Sequence, residues 1–168
     1  MGMAPEQIWT TLIWGFIAAG AFAVLFNVPV RSLLLASLGG ALGLLVRNLV
    51  LHQGGDLPLS TFTGALAIGI WSAFWSHRIS VPAQVMSIPA MIPMIPGVLA
   101  YRTMMGLLNF SGVPVAERAA VLAETTVFGL QAIMTLLGIA FGIAIPNIID
   151  RVYLEKFKYP RKAGSGAR

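Results

Sequence analysis

The chain has 168 residues, 57% of them hydrophobic and only 10% charged. A soluble domain is nearer a quarter charged, so this composition excludes an ordinary water-soluble protein and reads as an integral membrane protein, with mean hydropathy +0.83. The absence of cysteine removes disulfide frameworks, thiolate metal sites and cysteine nucleophiles. The net charge of +5 is no nucleic-acid signal, because six of the eleven Lys and Arg residues follow Ile149 as a membrane-face tail.

In chain order, a first apolar segment covers about 8–26 and ends at the turn Phe26-Asn27-Val28-Pro29-Val30-Arg31. The residues before it hold Glu6 and no Lys or Arg, and no clean small-residue cleavage site follows, so it does not read as a signal peptide. A second segment covers about 33–51, with Arg47-Asn48 near its far end, and a tight polar loop follows at 52–58. A third covers about 59–76 and stops at His77-Arg78.

The fourth segment is apolar enough to sit in a bilayer but carries Pro89, Pro93 and Pro96, with Gly97 directly after. Each proline removes a backbone donor and crowds the carbonyl four residues back. The spacing predicts a half-helix near 82–91, an irregular stretch through Pro96-Gly97, and a second half-helix over about 98–109. Two readings stand. One is a plain proline kink in a packed helix. The other is a site, since irregular backbone at membrane depth is tolerated only against protein or a water-filled cavity, and broken helices build substrate sites in secondary transporters. On the second reading the start of the later half-helix faces the bundle interior, near the bilayer midplane.

The fifth segment covers about 115–145, longer than a bilayer needs, so it tilts or protrudes. Pro146-Asn147 and the basic tail are expected to follow it, with Gly164-Ser165-Gly166 flexible. The expected fold is therefore all-α, with about five transmembrane segments and the fourth broken at Pro93-Pro96-Gly97. Residues 1–150 form a single transmembrane domain, and 151–168 a basic cytoplasmic tail. Arg31, Arg78 and the tail fall on one side, which the positive-inside rule makes cytoplasmic, with the N-terminus outside.

Two faces are expected to point inward. One is Ala36, Gly40, Gly43 and Arg47. The other is Glu117, Glu124, Phe128, Gln131, Thr135, Gly138 and Gly142. Intramembrane charges are costly. Arg47 either snorkels to the outer interface or serves the substrate. Arg102 and Glu124 either form a structural ion pair, or Arg102 binds a substrate carboxylate and Glu124 carries a coupling proton. Asn48, Asn109 and Gln131 are interhelical hydrogen-bond partners or ligands. The candidate substrate-binding set is Pro96, Gly97, Val98, Tyr101, Arg102, Asn109 and Arg47, with Tyr101 one turn beyond the break. His52 and His77 are too far apart to hold a metal, and no catalytic constellation appears. No metal, cofactor or enzymatic activity is expected.

Phe26-Asn27-Val28-Pro29-Val30-Arg31, Ser60-Thr61-Phe62, and Ile92-Pro93-Met94-Ile95-Pro96-Gly97 followed by Tyr101 resemble the threonine/serine exporter family, most closely its small YjjB-like subunits. The resemblance covers about residues 10–150. It implies export of threonine, serine or related small carboxylates across the bacterial inner membrane. It also implies a larger YjjP-like membrane partner, which some members carry fused in one chain. Arg47 falls where the pattern places a basic residue; Arg102 and Glu124 do not belong clearly to it. Independently of the name, one broken helix among five short spans makes only part of a pathway, so a second repeat must come from another copy or another chain. The leading expectation is a subunit of an ion-driven secondary exporter. The alternatives are an assembly subunit that never touches substrate and a channel-forming subunit.

Overall fold

The computed structural model describes residues 4–112 and 114–158, with 150–158 as backbone alone. Helix α1 is Pro5–Leu25, α2 Val30–His52 and α3 Leu57–Ile79; the fourth segment is α4 (Ala83–Met91), a 3-10 turn (Ile92–Met94) and α5 (Gly97–Asn109); α6 is Arg118–Lys158. Four helices are long and apolar enough to cross a membrane, and the α4–α5 pair, bent by 53°, makes a fifth span if counted as one. The described residues are all-helical or in turns, as the composition requires.

The helix ends follow local chemistry. After α1, Asn27 takes the left-handed conformation at φ 55°, which asparagine tolerates better than most residues. The Val28 amide then donates to Ala23 O (3.0 Å) and the Asn27 amide to Val24 O (3.0 Å). This is a Schellman cap, and Pro29 immediately caps α2. Gly54, at φ 91°, repeats the device after α2, with the Gly55 amide donating to Val50 O at 3.0 Å. Short caps of this kind force antiparallel neighbours.

Helix α2 lies at the centre, against α1, α3 and α4, and α3 carries α6 along its outer side. The packing is made by small residues, which let backbones approach where lipid offers no hydrophobic drive. A methyl group on Gly64 would fall 2.6 Å from Gly43 O, and one on Gly43 would fall 2.5 Å from Ile68 Cδ1. Gly40 meets Ala19 in the same way. The Trp71 indole N–H donates to Leu35 O at 2.9 Å, tying α3 to α2. The inward face expected for α2 is observed: Ala36, Gly40 and Gly43 are buried and Arg47 half-buried.

The end expected for the fifth segment is not observed. Helix α6 runs through Pro146 to Lys158. The proline ring fits because it packs on Gly69, where even a methyl would lie 2.9 Å from Pro146 Cγ. The carbonyl that loses its donor belongs to Gly142, itself pressed against α3. The last residues of the expected tail, 159–168, lie outside the described residues. The inward face expected for this helix is corrected in part. Thr135 and Gly142 are buried and Phe128 and Gly138 half-buried, but Glu117, Glu124 and Gln131 are exposed. The buried seam is Thr125, Ala132, Ile139 and Pro146, one residue round from the polar row.

The fold has two parts. Gly138 of α6 sits against Pro58 O and Phe62, in the first two turns of α3, and Gly142 and Pro146 follow α3 downward. The twenty residues of α6 before Gly138 therefore extend past the start of α3 by about 30 Å at 1.5 Å per residue. There, among the described residues, they pair chiefly with α5: Gly106 meets Thr125 and Gly129 meets Thr103. This α5–α6 arm stands apart from the bundle of α1 to α4.

Candidate functional site

The break begins where Pro93 and Pro96 deny the helix its donors. The Ile95 amide still donates to Ile92 O (3.0 Å), Ile95 turns extended at ψ 132°, and Pro96 caps α5 at φ −79°, ψ 59°. The Gly97 amide is taken by Ile95 O at 2.8 Å and the Ala100 amide by Pro96 O at 3.1 Å. The amides of Val98 and Leu99 have no acceptor among the described residues, as expected at a helix start.

Their direction differs from expectation. Gly97 is exposed, and a methyl group there would meet nothing within 4 Å. Val98 and Tyr101 are 68% and 63% exposed. Within this chain the start of α5 opens away from the bundle interior, because the 53° bend carries α5 off the bundle and its main neighbour among the described residues is α6.

Arg47 approaches the same break from the bundle side. A methyl on Gly64 would touch both Arg47 Cβ (3.0 Å) and Met94 Cε (2.7 Å), so the arginine stem lies near the tip of the Met94 side chain, which comes from the last residue of the 3-10 turn. Its Nε is buried without a hydrogen-bond partner, and buried polar atoms of this kind call for a ligand, water or neighbouring chain. Next to it, Asn48 Nδ2 donates to Thr11 Oγ1 at 3.1 Å, the interhelical bond expected of it.

The remaining candidates fall on the arm. Tyr101, Arg102 and Glu124 line one pocket of about 280 Å³ between α5 and α6. The expected ion pair is not formed: the Arg102 guanidinium lies over the Phe128 ring, 5.3 Å from its centroid, and Glu124 has no partner among the described residues. The arm's own contact at Gly106 and Thr125 sets the helix separation and leaves the charges on the pocket walls. Asn109, at the far end of α5, and Gln131 are exposed and stand apart. Sequence reasoning missed Gly64 and Met94 beside Arg47. It also missed the buried, unpartnered hydroxyls of Ser32, Ser72 and Ser87. The Gly43 and Gly64 pairing was half visible as small residues on α2; serines carry no such pattern.

Apolar spans, small-residue packing and a bent fourth segment define a multi-pass α-helical membrane protein. The sequence matches the family described as "Threonine/Serine exporter, ThrE" over residues 11–149. The chain belongs to the threonine/serine exporter family. An uncharacterized protein of Haemophilus influenzae is 31% identical over 139 residues, covering 82% of this chain but 46% of that protein. The chain thus spans about half the length of that relative. No solved structure matches it.

Proposed function

We propose that this chain is one subunit of a secondary exporter for threonine, serine or similar small carboxylates in the bacterial inner membrane. It works with a larger YjjP-like partner, has its N-terminus outside and its C-terminus in the cytoplasm, and is driven by an ion gradient. The observation that carries this reading is a span broken at Pro96-Gly97 in a member of an exporter family. Two unbonded amides at the start of α5 suit a carboxylate, and Arg47, with an unpartnered Nε on the other side of the break, supplies positive charge. The relative of twice the length supports a second half supplied by another chain.

Efflux from cells loaded with threonine tests the reading. Cells with both subunits should export it faster than cells lacking this chain, and equal rates would refute it. Gly97→Leu adds bulk in open space, so the protein should fold, assemble and lose export. Normal export would place the substrate away from the break. A second reading, an assembly subunit that never touches substrate, is favoured by the exposed apolar arm; it predicts that Gly97→Leu disturbs assembly and export together. Labelling of single cysteines in this cysteine-free chain decides orientation: Gly2→Cys should react from outside and Gly164→Cys should not.

A further inference from the structure

Most helix hydroxyls in this chain satisfy themselves. Those of Ser37, Thr61, Thr103, Thr125 and Thr135 each donate to the carbonyl four residues back. Ser87 of α4 makes no such bond: its Oγ is buried and has no partner among the described residues. Ser87 lines a crevice of about 380 Å³ between α4 and α6, with Gln84 on its own helix and Asn147 on the other. The two helices both rest on α3 and barely touch each other. Asn147 commits its Nδ2 to Ile143 O at 2.9 Å, which leaves Oδ1 without a donor among the described residues. The depth makes these groups costly. Pro146 packs on Gly69, halfway along the 23 residues of α3, so Asn147 sits near the middle of the span. A hydroxyl and an amide turned to lipid there would lose the partners that water gives.

The crevice also has a direction. Gln84, in the first turn of α4, puts its mouth at the membrane face where α3 ends. Its inner end is Met91 and Ile143, which pack on the cluster that contains Met94. Met94 in turn reaches the Gly64 position that the Arg47 stem also borders. We infer that the α4–α6 crevice is a water-filled vestibule leading from that membrane face to the break, for a small hydrated polar solute. The polar part of its lining is neutral, so Gln84, Ser87 and Asn147 solvate a solute without trapping it. Its volume is far above the roughly 10–15 Å³ that one water requires. Met91, unbranched and adaptable, forms the inner stop. Threonine or serine as the solute rests on the exporter reading; the water path does not.

Single cysteines in this cysteine-free chain test it, in sealed native membranes with the partners present. Asn147→Cys and Ala144→Cys report the crevice. Ile70→Cys, 56% exposed and next to Gly69 at the same depth, reports the outer surface of α3. His77→Cys, at an exposed position, marks the face where α3 ends. Both crevice cysteines should react with a charged, membrane-impermeant thiol reagent, and from the same side as His77→Cys. Ile70→Cys should react only with a lipophilic maleimide. Adding Ser87→Val with Gln84→Leu should abolish charged labelling of Ala144→Cys and keep its lipophilic labelling, because the polar lining is what admits water. Crevice cysteines that react only with the maleimide, only from the opposite side, or not at all overturn the vestibule. Excess threonine should slow the charged labelling of Asn147→Cys. Labelling without that protection leaves the water path standing and removes threonine as its solute. Export of threonine with no charged labelling removes the path and leaves the exporter reading standing, and the loss of both removes both.

Discussion

Helix α3 buries Ser60, Thr61, Gly64, Ala65, Ile68, Gly69, Ser72 and Ala73 against its neighbours, whereas α5 buries none of its residues. Both are apolar. What separates them is side-chain size at the contact. Glycine, alanine and serine let α2, α3 and α4 approach backbone to backbone, while the arm leaves Val98, Met104, Leu107 and Leu108 each at least 60% exposed. In a lipid environment burial follows the ability to pack closely rather than hydropathy, since a leucine is as content in lipid as in protein. The bundle is therefore finished within this chain, and the arm presents a surface for lipid or for another chain.

The sharpest way to break this contrast is Gly64→Leu. A single methyl already lies 2.6 Å from Gly43 O and 2.7 Å from Met94 Cε, so the larger side chain should cost about 3 kcal/mol or more and lower the melting temperature in detergent steeply. A stable variant would mean the crossing is looser than described. Next in size is Gly106→Leu, which collides with Thr125 and should detach α5 while sparing the bundle, at about 1–3 kcal/mol. Two cysteine pairs report the two parts. Thr103→Cys with Gly129→Cys (Thr103 Cγ2 to the glycine's Cβ position, 3.2 Å) spans the arm, and Phe62→Cys with Gly138→Cys (Cβ to Cβ position, 3.4 Å) spans α3 and α6. Both should oxidise in the native background. Gly106→Leu should abolish the first and keep the second; loss of both would show that arm and bundle fold as one unit.

Trp71→Phe should be milder. It removes the indole donor to Leu35 O and is expected to cost about 1 kcal/mol, seen as a small drop in melting temperature. Smallest of all, Leu107→Ser and Ile133→Ser, at positions 60% and 56% exposed, should change the stability of the isolated chain by no more than about 0.5 kcal/mol. A loss above that would show the arm face to be buried by the chain itself.

Much of this was legible in the residues. Runs of about twenty apolar residues announced the spans, Phe26-Asn27-Val28-Pro29 announced a turn, and Pro93-Pro96-Gly97 announced the break, because proline and glycine act locally. What stayed hidden depends on distant neighbours. Pro146 reads as a helix end until Gly69 offers its ring a place. Glu124 and Gln131 read as an inward row, yet the seam beside them, through Thr125 and Ala132, is the one that packs, because close approach selects small side chains and not polar ones. The direction of the break is set by a bend angle that no local pattern encodes, so Gly97 was expected inside and lies outside. The site residues divided accordingly: Arg47 stands beside the break, while Arg102 and Glu124 share a pocket without pairing.

One consequence of the unbroken α6 concerns motion. Its later half is clamped to α3 through Gly138, Gly142 and Pro146, and its earlier half reaches about 30 Å beyond. Such a rod is a lever with its fulcrum at the α3 contact. A rocking of about 10° there moves the far tip by about 5 Å over that reach, and α5, joined to the bundle only through the proline-rich bend, swings with it as on a hinge. A force applied to the arm from outside is thus geared down into a small rotation among glycine contacts, next to the turn that ends at Met94.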